Sequence, residues 1–166
     1  MITFSSKLSF LKWRKNITGT VGLVPTMGAF HKGHLSLIEK SMGICDYTIV
    51  SIFVNPIQFN ERSDFINYPQ NIKKDLELLS GFSVDAVFVP AESELFATDH
   101  SCYIEEKSMT NCPEGQHRSG HFRGVTTIVA KLFNIVKPTH FFFGQKDPQQ
   151  LRIINKMCLD LNFDIE

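Results

Sequence analysis

The chain has 166 residues, is 43% hydrophobic and 20% charged, and carries a formal net charge of zero, which suits one soluble domain with a sizeable core. Without surplus charge nothing favours nucleic acid or an anionic membrane as a partner, and any anion site has to be a local cluster of positive groups. No apolar run approaches membrane-spanning length, the N-terminus lacks an apolar signal core, and Cys45, Cys102, Cys112 and Cys158 form no C-x-x-C pair; a cytoplasmic protein with idle, reduced thiols is expected.

Residues 4–15, with Phe4, Leu8, Leu11 and Trp13 among polar neighbours, predict a short amphipathic helix. Thr20–Val24 predicts the first strand. It feeds the stretch Pro25-Thr-Met-Gly-Ala-Phe-His-Lys-Gly-His34, and an amphipathic helix follows, ending near Gly43. That order reads as strand, glycine turn, helix N-terminus, where free N–H groups and the positive dipole end suit an anion. Gly28 and Gly33 allow backbone to approach a ligand. His31 and His34, at i and i+3, project from one side of the first turn and can donate to a triphosphate. A plain strand–helix corner with two surface histidines would carry the same letters. The flanking elements argue against it.

Tyr47–Val54 is β-branched, aromatic and nearly continuously apolar, as an inner parallel strand would be. Gln58 lies just beyond it, where ligands of parallel sheets bind; it offers an acceptor and two donors to a carboxylate-and-hydroxyl substrate, or it caps a turn. The polar loop to Tyr68-Pro69 is long for its place, and Tyr68 can either bond a ligand or pack. Asn71–Ser80 predicts a helix with Ile72, Leu76 and Leu79 on one face, and Asp85–Pro90 a short strand. A small strand is expected at Cys102–Ile104.

Glu114–Gly124 sets His117, Arg118, His121 and Arg123 among three glycines, which suggests a flexible basic cover over an anion. Val125–Val136 has helical periodicity and Thr139–Phe143 predicts a strand. Gly144-Gln-Lys-Asp-Pro-Gln-Gln150 then makes a second glycine turn. Lys146 can reach phosphate oxygens, while Asp147 before Pro148 caps the next helix or binds a ribose. Phe163–Ile165 predicts the start of another strand.

Strands alternating with helices imply an α/β fold, a Rossmann-like doubly wound parallel sheet. The polar candidates all follow strands, so one rim gathers imidazoles, an ammonium and an amide, as adenylyl transfer requires. No Walker A sequence occurs and no G-x-G-x-x-G follows the first strand.

Pro25–Gly28, His31-x-Gly33-His34, Ser51-Ile-Phe-Val-Asn-Pro-x-Gln-Phe59, Tyr68-Pro69, Gly120-His-Phe-Arg-Gly124, Lys131-Leu-Phe-Asn134 and Phe143-Gly-x-Lys-Asp147 with Gln149-Gln150 resemble, in order and spacing, the pantothenate synthetases (pantoate–β-alanine ligases). These belong to the H-x-G-H (HIGH-motif) nucleotidyltransferase superfamily. The resemblance implies condensation of pantoate with β-alanine through a pantoyl adenylate, using ATP and Mg2+, with small-molecule substrates, no nucleic acid or membrane, and a homodimer. It assigns catalysis to His34, His31 and Lys146. ATP binding falls to Met27, Gly28, His31, Gly33, His34, Gly144, Lys146 and Asp147. Substrate binding falls to Gln58, Gln150, Tyr68, Arg118 and His121, and the metal ligands stay open.

Gln145 stands where the family usually has Glu, Ser119 where Pro is common, and Pro148 where an aromatic or small residue is common. None removes a phosphate-binding group. Family members continue for roughly another hundred residues, a domain's length, with a Ser-Ser-Arg loop and a lid. Residues 1–166 are therefore expected to be the ATP- and pantoate-binding domain, with full catalysis depending on the missing part. The competing expectations are another H-x-G-H nucleotidyltransferase and a nucleotide-binding module without full activity.

Overall fold

The computed structural model describes residues 1–109 and 120–166. Among them, β1 (Ile2–Phe4), β2 (Val21–Thr26), β3 (Tyr47–Ile52), β4 (Ala86–Phe88) and β5 (His140–Phe141) form one parallel sheet in the order β1-β4-β3-β2-β5. The helices are α1 (Lys7–Arg14), α2 (Lys32–Ile44), α3 (Arg62–Asn67), α4 (Ile72–Leu79), α5 (Glu92–Leu95), α6 (His121–Val136) and α7 (Pro148–Asp160), with a 3-10 turn at Pro56–Gln58. This is the expected doubly wound α/β architecture. Among the described residues no helix is long and apolar enough to cross a membrane.

The period-two alternation of the strands divides the core between two faces. Leu23, Ile49, Ala86 and Phe88 point to one side, against Phe10 of α1, Val125–Val136 of α6 and Ile154 of α7. Val24, Val50, Ile52 and Val87 point to the other, against Ile38 of α2 and Leu79 of α4. Leu23 and Ile49 are fully buried, each contributing roughly 1.5–3 kcal/mol of transfer free energy.

Pro25 lies inside β2 although proline cannot complete a ladder. The register explains how. The carbonyls of Thr20 and Thr26 accept from β3-side N–H groups, whereas those of Val21 and Leu23 accept from Thr139 and Phe142 on the β5 side. Pro25 therefore turns its missing N–H toward β5, whose ladder with β2 pairs only Gly22 and Leu23.

Four sequence expectations change. The N-terminal helix begins only at Lys7, because Ile2–Phe4 pairs with β4 as an edge strand. Phe4 still packs on Phe10 and Trp13, with ring centroids 5.6 and 5.4 Å away, so its apolar spacing imitated a helix. Residues 102–104 form no strand; the Ile104 main chain instead bonds to the side chains of Thr126 and Thr127 on α6. Finally, β5 is two residues long, and 163–165 is not a regular strand, although Glu166 exchanges backbone bonds with Thr139 and Phe141.

The chain leaves β2 toward β3 and β4 and returns to β2's other flank as β5. Connections thus diverge at β2 and β5, which opens a crevice beyond their carboxyl ends.

Candidate active site

Beyond β2 the backbone turns through Gly28 (φ 80°) and Ala29 (φ 53°). A Cβ on Gly28 would lie 2.6 Å from Asp75 Oδ2 and 3.2 Å from Ile52 Cγ2, so both conformation and space demand glycine. Asp75, on α4 and 5% exposed, accepts from the N–H groups of Ala29 (3.1 Å) and Phe30 (3.3 Å). Thr26 Oγ1 accepts from the Gly28 N–H at 3.2 Å and donates to the Ser51 carbonyl at 2.8 Å. The turn is fastened to β3 and α4 by the protein itself. Sequence reasoning missed Asp75. Its signal was there, a carboxylate on the same helical face as Ile72, Leu76 and Leu79.

His31 is the N-cap of α2, and its Nδ1 accepts from the Gly33 N–H at 3.1 Å. A neutral His31 in this geometry carries its proton on Nε2. One of the helix N–H groups expected to meet an anion is therefore occupied, and more of that task falls on side chains. The rings of His31 and His34 stack with centroids 4.1 Å apart and planes 25° apart. A side chain on Gly33 would press on this pair, its Cβ 3.0 Å from His31 Cε1. Among the described residues His34 Nδ1 is buried without a hydrogen-bond partner. Burial first, and then the charge of His31, lower the His34 pKa; Asp75 opposes this and Lys146 adds to it.

Lys146, in the second glycine turn, is thus among the charges acting on His34. Gly144 and Lys146 are exposed, and among the described residues a Cβ on Gly144 would meet only Leu37 Cδ1, at 3.9 Å, so none of them requires glycine there. Asp147 caps α7, accepting from the Gln150 N–H at 3.0 Å, with Pro148 next to it. Gln150 sits half-buried in that first turn. Among the described residues no hydrogen bond links its side chain to the other candidates.

Gln58 ends the 3-10 turn beyond β3 and faces Met27, its Nε2 donating to Sδ at 3.2 Å. Asn55 Nδ2 donates to Gln58 Oε1 at 3.0 Å, and His121 Nδ1 donates to the Gln58 carbonyl at 2.8 Å. His121 therefore lies in the first turn of α6, which starts four residues earlier than expected, and is not part of a flexible cover. Arg123 stands 4.9 Å over the Tyr103 ring. The expected contribution of Arg118 lies outside the described residues. Tyr68 packs edge-on against Phe59 at 5.7 Å; partial burial, then the Asp75 charge, raise its phenol pKa. One rim thus carries two stacked imidazoles, an ammonium and an amide.

The sequence model described as pantoate-beta-alanine ligase matches residues 3–166. A pantothenate synthetase from Acetivibrio thermocellus is 47% identical over 164 residues, spanning 99% of this chain and 58% of the relative. One from Thermosipho africanus is 51% identical over 146 residues, spanning 88% of this chain and 52% of the relative. A pantoate-beta-alanine ligase from Francisella tularensis, solved with beta-gamma ATP and beta-alanine, superposes with a TM-score of 0.97 at 38% identity, covering all of this chain and 65% of that one. The pantothenate synthetase of Thermus thermophilus gives 0.94 at 38% identity, with 60% of its chain covered. The chain spans about half the length of the curated relatives it matches.

Proposed function

The chain belongs to the pantoate-beta-alanine ligase family, and from that membership we propose that residues 1–166 form the nucleotide- and acid-binding domain of an enzyme making pantothenate. The observation that carries this reading is the convergence of the stacked His31–His34 pair and Lys146 at the crevice between β2 and β5. In the first step a pantoate carboxylate oxygen attacks the α-phosphorus of ATP. The bond to the bridging oxygen breaks, pyrophosphate leaves with that electron pair, and pantoyl adenylate remains. In the second, the neutral amine of β-alanine attacks the acyl carbon; AMP departs, and the amine proton passes to solvent.

His34, its pKa lowered, is neutral near pH 7 and donates to the phosphates without charge, while Lys146 opposes charge on the transferring group. His31 contributes its Nε2–H. Met27, Gly28, Gly33, Gly144 and Asp147 serve the nucleotide side, and Gln58, Gln150, Tyr68 and His121 the acid side; Arg118 is assigned to the acid by the resemblance alone. Magnesium, carried by the resemblance alone, would enter with ATP and offset the charge of its phosphates. A homodimer, carried by the resemblance alone, completes the proposal.

The test is ATP–pyrophosphate exchange in magnesium buffer, using this chain alone and joined to a relative's C-terminal half. Exchange that requires pantoate is the expected result, and His34→Ala or Lys146→Ala should slow it at least tenfold, about 1.4 kcal/mol of barrier, with little change in melting temperature. Exchange indifferent to pantoate assigns a different nucleotidyltransferase. No exchange in the joined protein overturns the reading.

A further inference from the structure

The acid side of the crevice has its polarity imposed from behind. Asn55, just past β3, is 1% exposed, and its Nδ2 donates both to the Gly124 carbonyl at 3.1 Å and to Gln58 Oε1 at 3.0 Å. A main-chain carbonyl only accepts, so the Asn55 group facing Gly124 has to be the NH2 end. That same nitrogen faces Gln58, which requires the acceptor oxygen of Gln58 there and turns Nε2 the other way. Nε2 meets only Met27 Sδ, a weak acceptor, at 3.2 Å among the described residues.

The backbone beneath is fixed as well. A Cβ on Gly124 would lie 2.5 Å from the Ile57 carbonyl oxygen and 2.6 Å from Gln58 Cα, so α6 rests directly on the 3-10 turn. Among the described residues Asn55 Oδ1 is buried without a partner, an arrangement that stability alone disfavours. The residue is better explained by what its nitrogen holds.

We propose that Asn55 is a positioning residue: it locks the Gln58 amide with its NH2 toward the crevice, so that this position binds an oxygen lone pair of the acid substrate and rejects an ammonium. Which acid is bound rests on the function proposed above. The polarity does not.

Two measurements on the 166-residue chain test it. Side-chain amide exchange by NMR is expected to show a protected Asn55 NH2 pair and a faster-exchanging Gln58 pair that shifts when pantoate is added. A protected Gln58 pair beside a freely exchanging Asn55 pair would overturn the assignment. The expected exchange pattern without any pantoate shift would sink the functional reading and leave the polarity standing. The second measurement is pantoate affinity in a double-mutant cycle. Asn55→Ala and Gln58→Met should each weaken binding at least tenfold, with the double variant no weaker than Gln58→Met alone, because Asn55 acts through Gln58. Additive losses would show a merely structural asparagine. Should Asn55→Ala fail to fold, the exchange pattern of the unmodified chain decides.

Discussion

His34 joins a titration to a packing position. The folded protein holds its imidazolium below the ordinary value of 6.5, through burial first and the His31 charge second. The unfolded chain therefore takes up this proton first as pH falls. The contribution to stability is full above about 6.5 and declines as pH drops from there toward the folded pKa. Thermal melts from pH 7.5 to 5.5, both approximate bounds of that window, should show the unmodified chain losing more melting temperature than His34→Gln; equal slopes would contradict the assigned environment. The histidine pair was legible because three-residue spacing fixes a shared helical face. Asp75 was legible too, as a carboxylate on an apolar face. Asn55 was not, because its bond to Gly124 spans 69 positions and no local pattern encodes it.

At the scale of elements, periodicity located what was long and buried and failed where an element was short or held by side chains. β3 and α6 announced themselves by continuous apolarity and by a 3.6-residue repeat. β1, three residues at a sheet edge, offers too few positions for alternation to register. The start of α6 was read late because Gly120, His121 and Gly124 look like loop. Gly124 is there because the helix backbone abuts the Gln58 turn. Gly124→Ala gains up to about 1 kcal/mol of helix propensity but drives a Cβ into main chain that no rotamer change can move, at a cost of about 1–3 kcal/mol. Denaturant melts should show net destabilisation, and pantoate should bind more weakly as Gln58 is displaced. Unchanged stability together with unchanged affinity would refute the close-packing account.

For the molecule as a whole, an all-parallel sheet has no hairpin to assemble first; every strand pairing closes a long loop. The pairing of β2 with β5 is the extreme case, its Val21–Thr139 contact joining residues 118 apart. Yet this is the pairing that carries the Lys146 turn to α2, where a Cβ on Gly144 would lie 3.9 Å from Leu37 and the Lys146 charge acts on His34. The two halves of the proposed phosphate site therefore meet only when these distant segments have docked, and a chain in which they have not docked cannot hold them in register. Competence to bind nucleotide is then a late property of folding. In refolding experiments, binding of a fluorescent ATP analogue should recover with the slowest tertiary phase and never ahead of it; earlier recovery would mean that one half of the crevice suffices. On the proposed function, a nascent or damaged chain without this docking would not sequester ATP, which would confine the ligand to finished molecules.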